Sequence, residues 1–430
     1  SPGKDELLKA KKKIIAAQTS APDSVARAEY KEARPSSLEE YQILKKMFAA
    51  GKNQQAIIRA LSYLREKPND WDVRFVLGQH YFQQKQYDLA YKQFNLVLSN
   101  IPNYTDVRVQ LINLYIATNR LREAKGVLAA GRALQPNNLD LFSLEGTIAF
   151  QEARFARAAD IARSVLAKDP TNQNAKALKA NLDSSSPRYM IGRNTVGISQ
   201  QAFYASDRHQ VWDFTTLYYG RDTDYGIIYG KINYNNRFLK SASQAEIDAW
   251  PILNKYVSFN LNAAYANEPT LFPRVLGGAE AYVSIPRFAQ VSLGGKYHRV
   301  TNSKAFHYYT GSITKEIINN LITFKPYFYQ TNPGPRSILY TGLIRHYLRG
   351  NKDHYINLNV LAGRSPDLFD LTNISFVTTS LKGASIDYAF PILNHTIVVD
   401  IGAGYTEQKY PNGLNRKLTG GTIRIEKRFE

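Results

Sequence analysis

Four prolines, Pro68, Pro102, Pro136 and Pro170, stand 34 residues apart, and the alanines Ala56, Ala90, Ala124 and Ala158 keep the same spacing. A period of that length marks a stack of small supersecondary units, none of which can bury its apolar face without its neighbours. Aligned on the prolines, the units begin near Ser37, Trp71, Thr105 and Leu139. The second carries Leu77, Gly78, Tyr81, Ala90, Phe94 and Pro102; the third carries Leu111, Tyr115, Ala124, Leu128 and Pro136. This is the pattern of a helix pair. A small Gly or Ala sits where two antiparallel helices approach, a large Tyr, Phe or Leu fills the groove beside it, and proline ends the second helix because it lacks the N–H and clashes with the preceding turn.

Those residues resemble the tetratricopeptide repeat (TPR). The end repeats depart from the pattern, with Ala60 and Ala162 at the second-helix aromatic position and Met47 and Ala149 at the first-helix one. Capping units pack differently from internal ones, which accounts for the change. The likeness implies four repeats plus a cap helix near Gln173 to Asp183, together spanning 37–183, behind a charged segment, 1–36, that is partly helical or disordered. It also implies a concave face built by the first helix of each repeat. On that face would stand Phe75, Gln79 and Phe82 of the second repeat and Val109, Asn113 and Ile116 of the third. They are either a groove for a peptide, a partner protein or a passing polymer, or packing against neighbouring helices.

The turn-rich stretch 184–187 reads as a linker, and beyond it the apolar period falls from 3.6 to 2. Val257, Phe259, Leu261, Ala263 and Tyr265 alternate with Ser258, Asn260, Asn262 and Ala264. Ile356, Leu358 and Val360 alternate with Asn357 and Asn359; Ile397, Val399 and Ile401 with Val398 and Asp400; Ile423 and Ile425 with Arg424. A soluble sandwich turns such an apolar face inward, whereas a membrane barrel turns it outward to lipid. Three features favour the barrel: some 12 to 14 strands without a convincing helix, a closing strand that carries Phe429 next to its end, and tyrosines near the strand ends. The tyrosines are Tyr204, Tyr218, Tyr219, Tyr308, Tyr309, Tyr327, Tyr329 and Tyr405, expected as interfacial girdles. The predicted fold is an α-helical TPR solenoid followed by an antiparallel transmembrane β-barrel of 12–14 strands over 188–430. Pro326 interrupts one strand and is expected near a membrane rim or at a bulge, since it removes a ladder donor.

Residues scattered over 190–430 resemble the YaiO family of outer-membrane β-barrels. They are Asn236, Arg237 and Phe238; Asp248 with Pro251; Glu268, Pro269, Leu271, Phe272 and Pro273; Gly277, Gly278, Ala279 and Glu280; Tyr309 to Ser312; Phe324, Pro326 and Tyr327; and Gly363, Ser365, Pro366 and Asp367. Repeats followed by a barrel are also similar to exopolysaccharide secretins of the PgaA and BcsC kinds, which have more repeats and a larger barrel. The resemblance implies a bacterial outer-membrane barrel with its repeats in the periplasm.

Composition narrows the chemistry. The chain has no Cys, which excludes disulfides and thiolate sites, and Ser1 to Leu8 hold no signal-like apolar stretch, as in a cytoplasmic chain or a processed exported one. No run of about 18 apolar residues is present for a transmembrane helix. The net charge of +19 is diffuse, with 28 Lys and Arg against 19 Asp and Glu in 1–184, so a lipopolysaccharide surface or an acidic polysaccharide fits better than nucleic acid. No phosphate loop, zinc-spaced His pair or Gly-x-Ser-x-Gly elbow is found, so no catalytic, cofactor or metal residues are expected. The inward polar set should be Asn260, Asn262, Lys296, His298, Asn357, Asn359, Asp400 and Arg424, either lining a passage or filling the lumen. The Pro-rich connections Glu268 to Arg274 and Arg364 to Asp370 read as recognition loops or rigid turns.

Three functions follow as expectations. The first is export or surface anchoring of a polysaccharide, with the repeats recruiting periplasmic or outer-membrane protein partners. The second is a sealed barrel that tethers an interaction scaffold for an envelope complex. The third is an outer-membrane hydrolase built on His307 and Ser312.

Overall fold

The computed structural model describes residues 39–185, 187–237, 239–268, 271–301, 304–332, 334–367 and 378–430. The expected segment 1–36, the start of the first repeat at Ser37, Phe238, Pro269 and residues 368–370 of the Arg364 to Asp370 loop lie outside the described residues. The helical part consists of α1 (39–49), α2 (Asn53–Glu66), α3 (Trp71–Gln83), α4 (Tyr87–Asn100), α5 (Thr105–Ala117), α6 (Leu121–Leu134), α7 (Leu139–Gln151), α8 (Phe155–Lys168) and α9 (Gln173–Ser185).

Three devices recur at the repeat period. Asp70, Asn138 and Asn172 cap α3, α7 and α9, each accepting a hydrogen bond from the backbone N–H three residues on, at 3.1, 3.1 and 2.9 Å. Within each pair the turn contains one residue with positive φ, and these are Gly51, Lys85, Asn119 and Ala153. Arg74 and Arg108 each reach back to the carbonyl of the repeat proline, Pro68 and Pro102, satisfying an acceptor where a helix has ended. The core fills as the spacing requires: Leu77, Ala90, Phe94, Ile112 and Ala124 are buried, and a Cβ on Gly78 would stand 2.6 Å from the Phe94 ring.

The strands are β1 (Asn194–Ala205), β2 (Gln210–Thr223), β3 (Gly226–Arg237), β4 (Lys240–Pro251), β5 (Val257–Ala266), β6 (Val275–Ile285) and β7 (Ala289–Arg299). They continue with β8 (Ala305–Ile317), β9 (Asn320–Asn332), β10 (Arg336–Tyr347), β11 (Tyr355–Pro366), β12 (Thr378–Ile392), β13 (Ile397–Lys409) and β14 (Asn415–Phe429). All neighbours are antiparallel, and β1 pairs with β14 from Asn194↔Phe429 to Ala205↔Leu418, so the sheet closes into a barrel. Closure leaves no edge of unpaired backbone groups, which is what a hydrocarbon environment demands.

Toward the middle of the barrel the large aliphatic side chains turn outward. Ile198, Leu217, Ile232, Ile247, Leu261 and Leu293 are exposed, Leu293 by 74%, while inward neighbours such as Asn262 are 6% exposed. Outward Tyr204, Tyr234, Tyr265, Tyr297, Tyr309, Tyr340 and Tyr405 lie toward the end of the barrel where β1 finishes, here called distal. Tyr219, Trp250 and Tyr388 lie toward the proximal end, where β1 begins. An apolar band between two aromatic girdles is the outer surface of a transmembrane barrel.

Three expectations are corrected. Of the eight tyrosines read as girdle residues, Tyr218, Tyr308, Tyr327 and Tyr329 face the interior; in adjacent pairs such as Tyr218 and Tyr219, period 2 forces one ring to each side. Pro326 lies mid-strand in β9, at neither rim nor bulge. Pairing with β8 lapses opposite it and resumes in the same register from Ile313↔Phe324, and Thr310 donates to the Pro326 carbonyl at 2.7 Å. The stretch 184–187 is not a free linker: Ser184 and Ser185 finish α9, and Pro187–Met190 forms a 3-10 turn.

The chain divides into two compact units, one running to Ile148 with Val165–Ala175 and one of Ala149–Ser164 with Lys176–Glu430. The second unit thus holds part of α8 and most of α9 as well as the barrel. Inside it the Phe155 and Tyr189 rings meet at 5.4 Å, and Arg193 pairs with Asp160 at 2.6 Å and Asp224 at 2.8 Å.

Candidate functional site

The eight residues expected to line the lumen all stand on the inward parity of their strands. The structure gathers them into two networks. In the first, Asn260 donates to Asp248 at 2.6 Å and Asn262 to Glu246 at 2.7 Å; Lys296 reaches Asn262 at 3.4 Å. Lys231 closes this network on Glu246 and Asp248, at 3.3 and 2.7 Å. In the second, Arg424 pairs with Asp400 at 2.8 Å and donates to the Tyr355 hydroxyl, Asn359 donates to Asp387 at 2.8 Å, and Arg345 donates to Asn357 at 2.8 Å. His298 joins neither: its ring stacks on Phe306 at 4.3 Å, and both its buried nitrogens lack a hydrogen-bond partner.

Several inward residues were not singled out from the sequence. Lys325 pairs with Glu280 at 2.7 Å, bridging β9 to β6, and Ser292 donates to the same carboxylate at 2.6 Å. At the proximal end Arg428 grips Asp353 at 2.7 and 3.0 Å, with His395 at 3.0 Å. Burial works to raise the Asp353 carboxyl, but the hydrogen bonds and charges of Arg428 and His395 outweigh it and hold the group below its usual range. For the strand residues Lys325, Glu280, Ser292 and Arg428 the signal was the same parity that marks Asn262; Asp353 and His395 lie in turns and had none.

A purely polar interior, as expected from the alternation, does not extend to the distal end. There the inward face is mixed: Ala205, Trp212 and Leu418 form one apolar cluster, Ala242, Ala266, Leu271 and Phe272 another, and Val300, Phe306, Tyr329, Leu339 and Leu381 a third, with buried Arg237, Gln244, Thr379 and Gln408 among them. Arg416, fully buried, crosses this zone by pairing with Asp207 at 2.9 Å under the Trp212 ring. Two cavities open in the interior. One of about 380 Å³ lies among the distal rings, and one of about 410 Å³ lies among Tyr218, Lys231, Asp248 and Arg424; Phe214, Asn233 and Glu246 border both.

In the repeats, Phe75 is buried against Phe94 and Tyr104, so it belongs to the core and not to an open groove. Phe82, Val109 and Ile116 pack partly buried against that core, and Gln79 and Asn113 are half-buried beside them. Burial pushes the Tyr115 phenol up to about 12 and lowers the His80 imidazole, which stacks on Phe48 at 4.0 Å. His307 and Ser312 lie on one strand, β8, with opposite parity: His307 faces outward beside Tyr309 and Ser312 inward against Ser292. They do not form a pair. Among the described residues no group of three or more His, Asp or Glu is placed to hold a metal, and no helix is long and apolar enough to cross a membrane.

A closed barrel with an apolar exterior, preceded by helix-pair repeats, defines an outer-membrane β-barrel with a helical repeat domain. Residues 193–368 match the YaiO membrane beta barrel domain, and residues 48–105 and 109–173 match the tetratricopeptide repeat. The chain thus carries tetratricopeptide repeats followed by a YaiO membrane β-barrel domain. No curated protein matches it. Among solved structures it is similar to a bacterial polysaccharide outer membrane secretin, at 10% identity and a TM-score of 0.39 over 55% of this chain and 99% of that one. It is similar to Pseudomonas aeruginosa pilF at 18% identity and a TM-score of 0.31, over 34% of this chain and 67% of that one. PilW, a type IV pilus biogenesis factor, aligns at 19% identity and a TM-score of 0.32, over 35% and 70%.

Proposed function

We propose that the protein serves export or surface anchoring of a polysaccharide at the outer membrane, with its repeats in the periplasm holding protein partners. The observation that carries this reading is the inner wall: phenol and carboxamide groups alternate with charged pairs, as at Tyr218, Tyr229, Lys231 and Asp248 around the 410 Å³ cavity. Sugars present apolar ring faces and hydroxyl edges, and a wall of rings with nearby donors and acceptors meets both. A periplasmic repeat domain is supported by the connections: the two longest, 267–274 and 367–377, are at the distal end, and outer-membrane barrels carry their longer loops outside. The lipid around the band, lipopolysaccharide included, is its natural surrounding.

The function is non-enzymatic in this reading, since His307 and Ser312 face opposite ways. Single-channel conductance of the full chain, with and without added acidic polysaccharide, tests it: a current blocked by the glycan is expected, and a barrel that neither conducts nor binds glycan contradicts it. A second reading, a sealed barrel tethering a scaffold, is favoured by inward pairs that bridge non-neighbouring strands, such as Lys325 with Glu280, and by the distal apolar clusters. Under it, conductance is absent while the repeats retain a stable protein partner.

A further inference from the structure

We propose that the distal cavity inside the barrel binds an acyl chain. Its walls are Phe203, Trp212, Phe214, Leu271, Phe272 and Leu276, with Phe306 and Tyr308 across from them. At about 380 Å³ the space is of the size that takes a ligand, and it lies inside the wall, away from bulk lipid. The parity that places Asn262 and Lys231 inward lower down continues here in Gln201, Asp213, Asn235, Arg237 and Gln244, yet rings and aliphatic groups make up most of the cavity's exposed wall. Water against that apolar part of the wall finds few partners, whereas a chain of methylenes needs none.

The surroundings are those of an amphipathic ligand. The apolar chamber adjoins the polar one of about 410 Å³ through Phe214, Asn233 and Glu246, so a tail in the first has room for a polar head in the second. His298, on the wall of this chamber, has both ring nitrogens without a hydrogen-bond partner among the described residues, an arrangement that a ligand oxygen would complete. This site does not depend on the polysaccharide reading: a barrel that passes no glycan would still hold the chain, and an exporter that binds no acyl group would lack it.

Trp212 reports occupancy directly. The chain has three tryptophans, Trp71, Trp212 and Trp250, so Trp71→Phe with Trp250→Phe leaves one indole on the cavity wall. The full chain carrying those changes would be reconstituted in phospholipid bilayers without detergent and titrated with 9,10-dibromostearate. Saturable quenching of Trp212 is expected, with little quenching when the bromines are carried on the bilayer phospholipid instead. Two variants are compared separately: Leu276→Phe, which fills volume, and Phe272→Asp, which introduces charge. Each should weaken the apparent affinity roughly tenfold or more while gel mobility still shifts on heating. Absence of saturable quenching in the parent overturns the proposal, and so does equal quenching in parent and both variants or equal quenching by brominated phospholipid.

Discussion

The repeats and the barrel use the same kinds of side chain with opposite polarity of burial. In the repeats Leu77, Phe94 and Ile112 are enclosed and most charge is left outside; in the barrel Ile232, Leu261 and Leu293 are outside, and Asn233, Asn262 and Glu280 are enclosed. Water surrounds the first arrangement and explains it through apolar burial. The second is stable only where the outside medium is itself apolar, so the inversion at the end of α9 records a change of solvent within one chain.

Removing core volume should therefore damage the helical half alone. Phe94→Ala deletes a fully buried ring and should cost about 3–5 kcal/mol, seen as a lower midpoint in the helical circular dichroism melt with heat-modifiable gel mobility of the barrel retained. Leu293→Lys makes the reverse test. It stands mid-strand on the outer face of β7, where a cation should cost about 2–4 kcal/mol of barrel stability in lipid and leave the helical melt unchanged. If this lysine were harmless, the outer face would be facing water.

Acidification should also separate the halves. His80 is buried and its pKa lies below the ordinary value of 6.5, so the folded repeats keep it neutral while the unfolded chain takes up a proton first. Stability of the repeats is then full above about pH 6.5 and declines as pH falls below that, until the folded pKa is passed. The helical melt measured between pH 7.5 and 5 should show this decline, and His80→Phe should flatten it. The smallest effect expected is at Lys85, exposed with φ +59°, where Lys85→Gly should stabilise the repeats by about 0.5–1 kcal/mol. A loss of stability there would mean the turn is not left-handed.

Much of this was legible in the residues. The 34-residue spacing located every helix pair, and strict alternation at Asn260, Asn262, Asn357 and Asn359 placed those side chains on the inner wall, because both signals are periodicities that a fold must honour. Other features had no such handle. Lys85 and Ala153 adopt positive φ without any preference for it, and only their register with Gly51 and Asn119 betrays them. The tyrosine pairs were readable as aromatic but not as one in and one out until the register was fixed. Phe75 occupies a family groove position, yet packing against Phe94 and Tyr104 encloses it, which depends on three elements at once. The distal interior sets apolar clusters among its inward polar residues, so Trp212 and Phe306 looked no different from lipid-facing residues.

The central claim, that the apolar face of the strands meets lipid, can be measured residue by residue because the chain has no native Cys. Single cysteines at Ile232, Asn233, Leu261 and Asn262, spin-labelled in reconstituted bilayers, should give high accessibility to oxygen at Ile232 and Leu261 and low accessibility at Asn233 and Asn262. Accessibility that is equal along the strand, or highest to a water-soluble nickel reagent at Ile232 and Leu261, would contradict the account.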